Sequence, residues 1–505
     1  MLRRATILLL VTVVVCLPAW TIPDLHGTEG RRVQITVEMM QSGDWLVPTL
    51  GWEPTWAKPP LHYWLLAGSR WLFGDSVLAM RLPSVLLAFA SACLAGELLR
   101  RHFGVVAGWL GALAMVCAPL VAFQWPTAEV DPGFASLTAM SLWSLATGVA
   151  RERRGLVFAS GVLAGLALLH KGPPFLLFAC GAYLVWWRHR RLRHGLLHFV
   201  PAVALPLAWV VLVWICRMSP AEALAAAGEE SVGRLSLFSL ASLRSIPAYW
   251  LRALAIQLPF LLWCFWEWRG NRDARMDAGD LTLRMCSGAA VVAVVLFTFF
   301  PGRPTRYLLA NVPLFTFAVM PAVAHFFTWP GALPGIAARL VLAWGLFGAL
   351  MLIVIPFVPA AGTAAVAVAL CAALGPILVR RPRHVVVFCL ATPVVGAWTV
   401  GFDVPVGRGE RVIARQRGGE VLAHELRSLG IADDLATYGH VDSAVLLATR
   451  RLPPGDEFRR RPPTARWLLY EGHAGEPAPF GYTLRTAVDL EFKTYCVAER
   501  EAGGR

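Results

Sequence analysis

Apolar windows of the length that crosses a lipid bilayer, about 20 residues, recur along this chain from Thr6 to Gly401 and constrain everything else about its fold. Thirteen can be marked, at approximately residues 5–22, 82–99, 104–122, 132–150, 155–170, 173–187, 197–216, 250–266, 285–300, 307–325, 336–357, 361–379 and 385–402. In hydrocarbon each backbone N–H and C=O needs a partner within its own segment, so such windows become helices. The 505 residues are 57% hydrophobic and 15% charged, which sets aside a string of soluble domains. The first window follows Arg3 and Arg4 as a secretory leader would, but Leu17-Pro18-Ala19-Trp20 is a poor cleavage site and Cys16 follows Val15. It is therefore read as a spanning helix.

Orientation follows from arginine in the short connections. With Met1 in the cytoplasm, the inner segments hold Arg100 and Arg101, then Arg151, Arg153 and Arg154, then Arg188, Arg190, Arg191 and Arg193. Arg269, Arg272, Arg275, Arg284, Arg380, Arg381 and Arg383 continue the pattern. The formal charge of +14 is thus a topology signal, and nucleic-acid binding is not needed to explain it. Of ten cysteines only Cys496 lies outside the windows, and no pair has metal-ligand spacing.

Two segments are not membrane-like. After Asp403 an amphipathic run, GGEVLAHELRSLGI, predicts a helix, and LATYG, RWLLYEG and FKTYCVAE predict strands between Pro and Gly turns. The other is a polar island from His26 to Trp64 carrying Glu29, Arg31, Arg32, Glu38, Asp44, Glu53 and Lys58. Ionisable groups gathered beside a membrane are site candidates. Thr28 can cap a helix ending near Gly43, in which residues 29, 33, 37 and 40 form one stripe. Glu29 heads that stripe, beside Val33, Val37 and Met40, so it faces a packing surface and needs a partner. An acid in a first turn also suits the helix dipole. Trp45, Trp52, Trp56 and Trp64 suit the membrane interface. Lys58 precedes Pro59-Pro60, which holds its backbone extended.

Other ionisable groups fall on the same outer side. Asp131 precedes Pro132, an arrangement that suits a helix cap as well as a functional acid, and Glu129 is an alternative second carboxylate. Lys171, at an outer helix end, runs against the positive-inside bias; it either meets a phosphate or snorkels to headgroups. Arg303, Arg306 and Tyr307 lie in PGRPTRYLL, where Tyr307 either contacts a ligand or sits at the interface. No nucleotide loop, P-loop or HExxH site is present, so no motif here points to a bound nucleotide or a zinc centre.

The blocks GDWLVP, AKPPLHYW and RLPS (residues 81–84) closely resemble the first outer loop of bacterial members of the dolichyl-phosphate-mannose protein mannosyltransferase superfamily, such as lipid A aminoarabinose transferase. The resemblance covers residues 1 to about 325 by motif and the remainder by architecture. It implies an integral-membrane enzyme of the GT-C type that transfers a sugar from a polyprenyl-phosphate carrier, with inversion at the anomeric carbon. Lys58 matches the family's KPP lysine, implicated in binding the carrier phosphate, Asp131 a family aspartate, and Lys171 its KGP block. The stretch Glu229 to Arg234 is a looser match. Where aminoarabinose transferases carry D-E-x-R, this chain has Thr28-Glu29-Gly30-Arg31, so the usual aspartate is absent and the resemblance leaves Glu29 as the base.

The expectation is an all-α polytopic membrane protein of the GT-C type with about 13 transmembrane helices and a small C-terminal extracytoplasmic α/β domain. Residues 1–402 form the membrane glycosyltransferase domain, with a first outer loop at 23–81, and residues 403–505 lie outside. Glu29 and Asp131 are the expected catalytic acids, while Lys58, Lys171, Arg303 and Arg306 bind the donor phosphate; Arg31, Glu129 and Tyr307 are further candidates. The partners implied are a polyprenyl-phosphate-linked sugar, undecaprenyl-linked in a bacterium's inner membrane, membrane lipids, and an acceptor that is lipid A, another glycan, a lipid or a protein. Some relatives are associated with a divalent cation, but no His/Asp/Glu constellation here demands one. The rival reading is a polyprenyl-lipid or sugar transporter without chemistry.

Overall fold

The computed structural model describes residues 2–217 apart from 22–24, 26–27, 118–123, 125 and 190–193, then 280–299 and 305–328, and a few residues between 246 and 253. Beyond these it describes most of 421–431, then 435–438, 466–472, 478–479, 482–490 and 493–500 among the last hundred residues. Helices occupy the apolar windows wherever these are described: α1 (Leu2–Thr21), α4 (Val77–Phe103), α5 (Val105–Cys117), α6 (Val130–Ala150), α7 (Arg154–Lys171), α8 (Pro174–Arg188), α9 (Gly195–Arg217), α10 (Leu281–Phe297) and α11 (Asn311–Thr328). The expected windows at 336–357, 361–379 and 385–402 lie outside the described residues, as does the window at 250–266 apart from Trp250 and Ala253.

Among the described residues, Val77–Val116, Val130–Ala150, Arg154–Lys171 and Gly195–Arg217 are long and apolar enough to cross a membrane. Helix α6 is buried nearly throughout, against α4, α7 and α10, and Trp143 stacks on Phe317 of α11 with ring centroids 5.2 Å apart. Helix α9, by contrast, presents Leu196, Val200, Val203, Leu207, Trp214 and Ile215 outward, as a lipid-facing helix does. Close crossings depend on small residues. A Cβ on Gly181 of α8 would lie 2.0 Å from the carbonyl oxygen of Gly288 on α10, so the two backbones meet where no side chain fits.

The polar island folds into α2 (Glu29–Ser42), a short hairpin of β1 (Thr49–Leu50) and β2 (Glu53–Pro54), and α3 (Leu61–Phe73). Gly43 ends α2 in the left-handed region (φ 70°), its N–H donating to Met39, so the helix stops where the glycine predicts. The stripe packs as expected: Glu29, Val33 and Val37 are buried, and the two valines meet Leu66, Met80 and Ala128. Thr28 stands at the N-cap, but its side chain makes no capping hydrogen bond. Nor does Asp131 cap α6, because the helix begins at Val130 and leaves Asp131 in its first turn.

In the last hundred residues, strands β3 (Leu435–Tyr438), β4 (Trp467–Glu471), β5 (Tyr482–Leu490) and β6 (Lys493–Arg500) form a sheet in the order β3-β4-β6-β5. The β3–β4 pairing is parallel and the other two are antiparallel. Leu422 and Leu426, from the amphipathic run, pack on one face against Trp467, Leu469 and Val497. The opposite face buries Leu468, Tyr470 and Cys496. Three of these strands lie in the runs singled out in the sequence; β5 was not among them.

Candidate active site

The charges of the island are organised around the first turn of α2. Glu29 is fully buried and Arg81, in the first turns of α4, is 1% exposed. The guanidinium clasps the carboxylate with both arms: Nε donates to Oε1 at 3.0 Å and Nη2 to Oε2 at 2.9 Å. The N–H of Ala128 adds a third donor to Oε1 at 2.6 Å. Three chain segments far apart in sequence are thereby joined: the first loop, the start of α4 and the approach to α6. Arg81 stood within the RLPS block but was not among the candidate residues, since nothing in its spacing points to Glu29.

The neighbouring acid faces Thr28. The N–H and hydroxyl of Thr28 lie 2.8 and 2.7 Å from Glu129 Oε1, and the hydroxyl lies 2.5 Å from Oε2. Thus the hydroxyl expected to cap α2 serves a carboxylate at the N-cap of α6 instead. Burial pushes the Glu129 carboxyl above its usual range, against the opposing pull of Thr28's donors and the positive charge of Arg32.

Asp131, in the first turn of α6, accepts a short hydrogen bond from Lys171 at the end of α7, and both side chains are 8% exposed. The ammonium lies 4.5 Å from the ring centroid of Tyr307 and 5.0 Å from that of Phe134, so aromatic faces supply part of the solvation it gives up. Gly172 follows in the left-handed region (φ 87°), which turns the chain from α7 into α8. A methyl group added there would lie 3.8 Å from Pro59 Cγ, so the KPP and KGP blocks approach each other closely. Lys58 is half-buried and its Nζ donates to the carbonyl of Ala57 at 2.5 Å.

Histidine and tyrosine fill the space between these pairs. His62 Nε2 is 3.0 Å from the carbonyl oxygen of Ala128, and its ring meets that of His170 edge to face at 5.0 Å. Burial, reinforced by His170 and Arg32, lowers the pKa of His62 well below the ordinary imidazole value and keeps the ring neutral. Arg32 Nη1 donates to the Tyr63 hydroxyl at 3.2 Å, tying α2 to α3. Arg31 is exposed. Arg303 and the side chain of Arg306 lie outside the described residues, as does the stretch from Glu229 to Arg234. Among the described residues no group of three or more His, Cys, Asp or Glu side chains is placed to hold a metal ion.

A second carboxylate in α2 organises the hairpin that precedes Lys58. Glu38 is fully buried and accepts from Gln34 Nε2 (2.8 Å), Thr49 Oγ1 (2.8 Å), Gly51 N (2.8 Å) and Trp52 N (2.9 Å). Gly51 and Trp52 both have positive φ, 63° and 64°, which matches the right-handed strand twist but strains a tryptophan. The carboxylate holds that turn by its N–H groups. Glu38 was noted in the island as a charge but was not among the site candidates; its i−4 neighbour Gln34 was the available local signal.

Residues 57–214 match the family model described as dolichyl-phosphate-mannose-protein mannosyltransferase. Undecaprenyl phosphate-alpha-4-amino-4-deoxy-L-arabinose arabinosyl transferase 2 of Pseudomonas fluorescens is 31% identical over 204 residues, covering 38% of this chain and 34% of that protein. The match thus spans about a third of the length of that curated relative. Among solved structures, ArnT from Cupriavidus metallidurans in the apo state superposes with a TM-score of 0.73 at 20% identity, covering 98% of this chain and 97% of that one. The same protein bound to undecaprenyl phosphate gives 0.70 at 19% identity, covering 99% and 98%. At such identities the likeness is one of fold. The chain therefore shares the fold of that protein, and the likeness in sequence carried by the first-loop blocks extends through residues 57–214.

Proposed function

We propose that this chain is an integral-membrane glycosyltransferase that takes a sugar from a polyprenyl-phosphate carrier, undecaprenyl phosphate, and delivers it to an acceptor at the outer face of the cytoplasmic membrane. The observation that carries this reading is the meeting, at one end of the bundle, of three acids (Glu29, Glu129 and Asp131) with the KPP and KGP lysine blocks. The donor named in the P. fluorescens relative and the ligand named for the Cupriavidus ArnT structure both support it.

The reaction asks for both kinds of group. An acceptor hydroxyl attacks the anomeric carbon from the face opposite the phosphate; the new C–O bond forms as the old one breaks, its electron pair leaving on the phosphate, with inversion. A carboxylate takes the hydroxyl's proton. Cations stabilise the charge that develops on the departing phosphate. Lys58 and Lys171 supply that charge, with Arg303 and Arg306 as further donors from the connection before α11, and Tyr307 packs against the lysine that holds the leaving group. Arg31 lies on the exposed side of the same turn, where a sugar or acceptor enters. No step is routed through a divalent cation. The acceptor is lipid A, another glycan, a lipid or a protein. Residues 403–505, whose sheet packs with Leu422 and Leu426, form an outer domain over the membrane domain at 1–402.

Purified protein in lipid vesicles, supplied with a polyprenyl-phosphate-linked sugar and membrane acceptors, is expected to release polyprenyl phosphate and label one acceptor class. Lys58→Ala is expected to abolish transfer while still inserting. Mass spectrometry of lipids and glycans from cells lacking the protein identifies the acceptor. Passage of intact carrier-linked sugar across the bilayer without release, or full transfer by Lys58→Ala, sinks the reading.

A further inference from the structure

We infer that Glu129 is the group that takes the acceptor's proton, with Thr28 as its positioning residue. This rests on the proposed glycosyl transfer and deepens it.

Three acids reach the site, and their partners separate them. Glu29 has no solvent exposure, and both of its oxygens are clasped by Arg81 with a third bond from Ala128. To accept a proton it would have to surrender a bidentate ion pair in the interior. Asp131 is held by the Lys171 ammonium, so its basicity is spent on a cation that the departing phosphate also needs. Glu129 differs from both: among the described residues its hydrogen-bond donors are the N–H and hydroxyl of Thr28, both neutral.

The count of lone pairs points the same way. A carboxylate offers about four acceptor directions, and Thr28 has one amide proton and one hydroxyl proton to give. Thr28 can therefore fill two of them and fix the carboxylate's orientation while capacity is left for a third donor, the acceptor hydroxyl. Thr28 and Glu129 stand at the N-caps of α2 and α6, so the group sits where the first loop meets the bundle. The raised proton affinity that burial gives Glu129 suits a base. Facing it are Arg32 from α2, which pulls that affinity down, Asp131 on its own helix, which pushes it up, and Tyr63 from α3.

In the transfer, the acceptor's O–H bond breaks with its proton passing to a Glu129 oxygen, the oxygen forms its bond to the anomeric carbon, and the phosphate leaves with the electron pair of the cleaved bond. Turnover is complete when that proton returns to water.

The test uses full-length protein in vesicles with a polyprenyl-phosphate-linked sugar, reading kcat, KM and the pH–rate profile alongside thermal unfolding. Glu129→Gln keeps an acceptor for Thr28 and should lower kcat by about 100-fold or more, the usual worth of a general base, with the donor's KM within a few-fold. Thr28→Val removes one of the donors that lower the Glu129 pKa. Its folded pKa then rises, the carboxylate form is reached at higher pH, and the acid limb of the rate profile moves upward. A merely structural tether would lower stability without moving that limb. Wild-type kcat in Glu129→Gln overturns the inference, as does an unmoved limb in Thr28→Val. Should Glu129→Gln fail to fold, Thr28→Val decides alone. If the wild-type protein itself transfers no sugar, the parent reading falls and takes this one with it; active wild type with fully active Glu129→Gln strikes the inference alone.

Discussion

Two ion pairs lie in the same buried layer and are built differently. Arg81 meets Glu29 with a planar fork, both arms engaged, and side-chain exposures of 1% and 0%. Lys171 meets Asp131 with a point charge, 8% exposed on both sides, under the rings of Tyr307 and Phe134. A guanidinium that is doubly bonded and dry has geometry to lose and nothing to exchange. An ammonium carries three donors and can turn one toward a second anion without releasing the first. The comparison assigns fastening to the first pair and leaves the second able to answer a phosphate.

The largest effect is expected where the fastening is cut. Arg81→Met leaves a buried carboxylate without its guanidinium, and breaking one side of a buried pair typically costs about 3–5 kcal/mol. Denaturant or thermal unfolding in detergent measures it. The double variant Glu29→Leu/Arg81→Met, which removes both charges, should recover most of the loss. A single variant as stable as wild type would put the two pairs on the same footing and break the contrast.

Next comes Lys171→Met. Sugar transfer should fall by about 100-fold, the scale for losing one preorganised group at developing charge, while the unfolding midpoint drops less than in Arg81→Met. Equal stability losses in the two variants, with transfer tracking folded protein, would show that Lys171 is also a fastener.

Glu38→Gln sits below these. The carboxylate satisfies four donors with two oxygens, whereas an amide turns one end into an NH2 that faces donors. A cost of about 1–3 kcal/mol is expected for the donors left unmet in the interior. It should appear as faster amide exchange at Gly51 and Trp52 and as weaker binding of the carrier through the displaced Lys58 segment. Unchanged exchange there would remove Glu38 from the positioning of Lys58.

How much of this was legible in the sequence follows from what each signal encodes. Helices fell where apolar windows were long, because length and hydropathy are local. The stripe of Glu29, Val33 and Val37 fixed α2 and the statement that Glu29 needs a partner, but the partner is 52 residues away, and periodicity carries no information across a loop. For the same reason Thr28, a plausible cap by local pattern, gave its hydroxyl to Glu129, 101 residues on. Asp131-Pro132 read equally as cap and site because both uses need the same residues at a helix start; only the position of Lys171 separates them. Strand β5 was missed because polar residues interrupt its alternation, and it is Val488, Tyr482 and Leu484 against β6 that place it.

The smallest effect belongs at the opposite end of the bundle, where Arg151 follows α6 and pairs with Asp280 at 2.9 Å, with side-chain exposures of 37% and 19%. Water screens such a pair, and exposed ion pairs contribute about 0–1 kcal/mol. Asp280 has a second task, since its Oδ1 caps α10 by accepting from Thr282 N at 2.7 Å. Asp280→Asn keeps the cap and loses the charge; its unfolding free energy should change by well under about 1 kcal/mol and the difference should vanish in high salt. Asp280→Ala also loses the cap and should cost about 1 kcal/mol, independent of salt. If the asparagine variant were as damaging as Arg81→Met, exposure would not be what separates ion pairs in this protein, and the assignment of Lys171 to exchange instead of fastening would lose its physical basis.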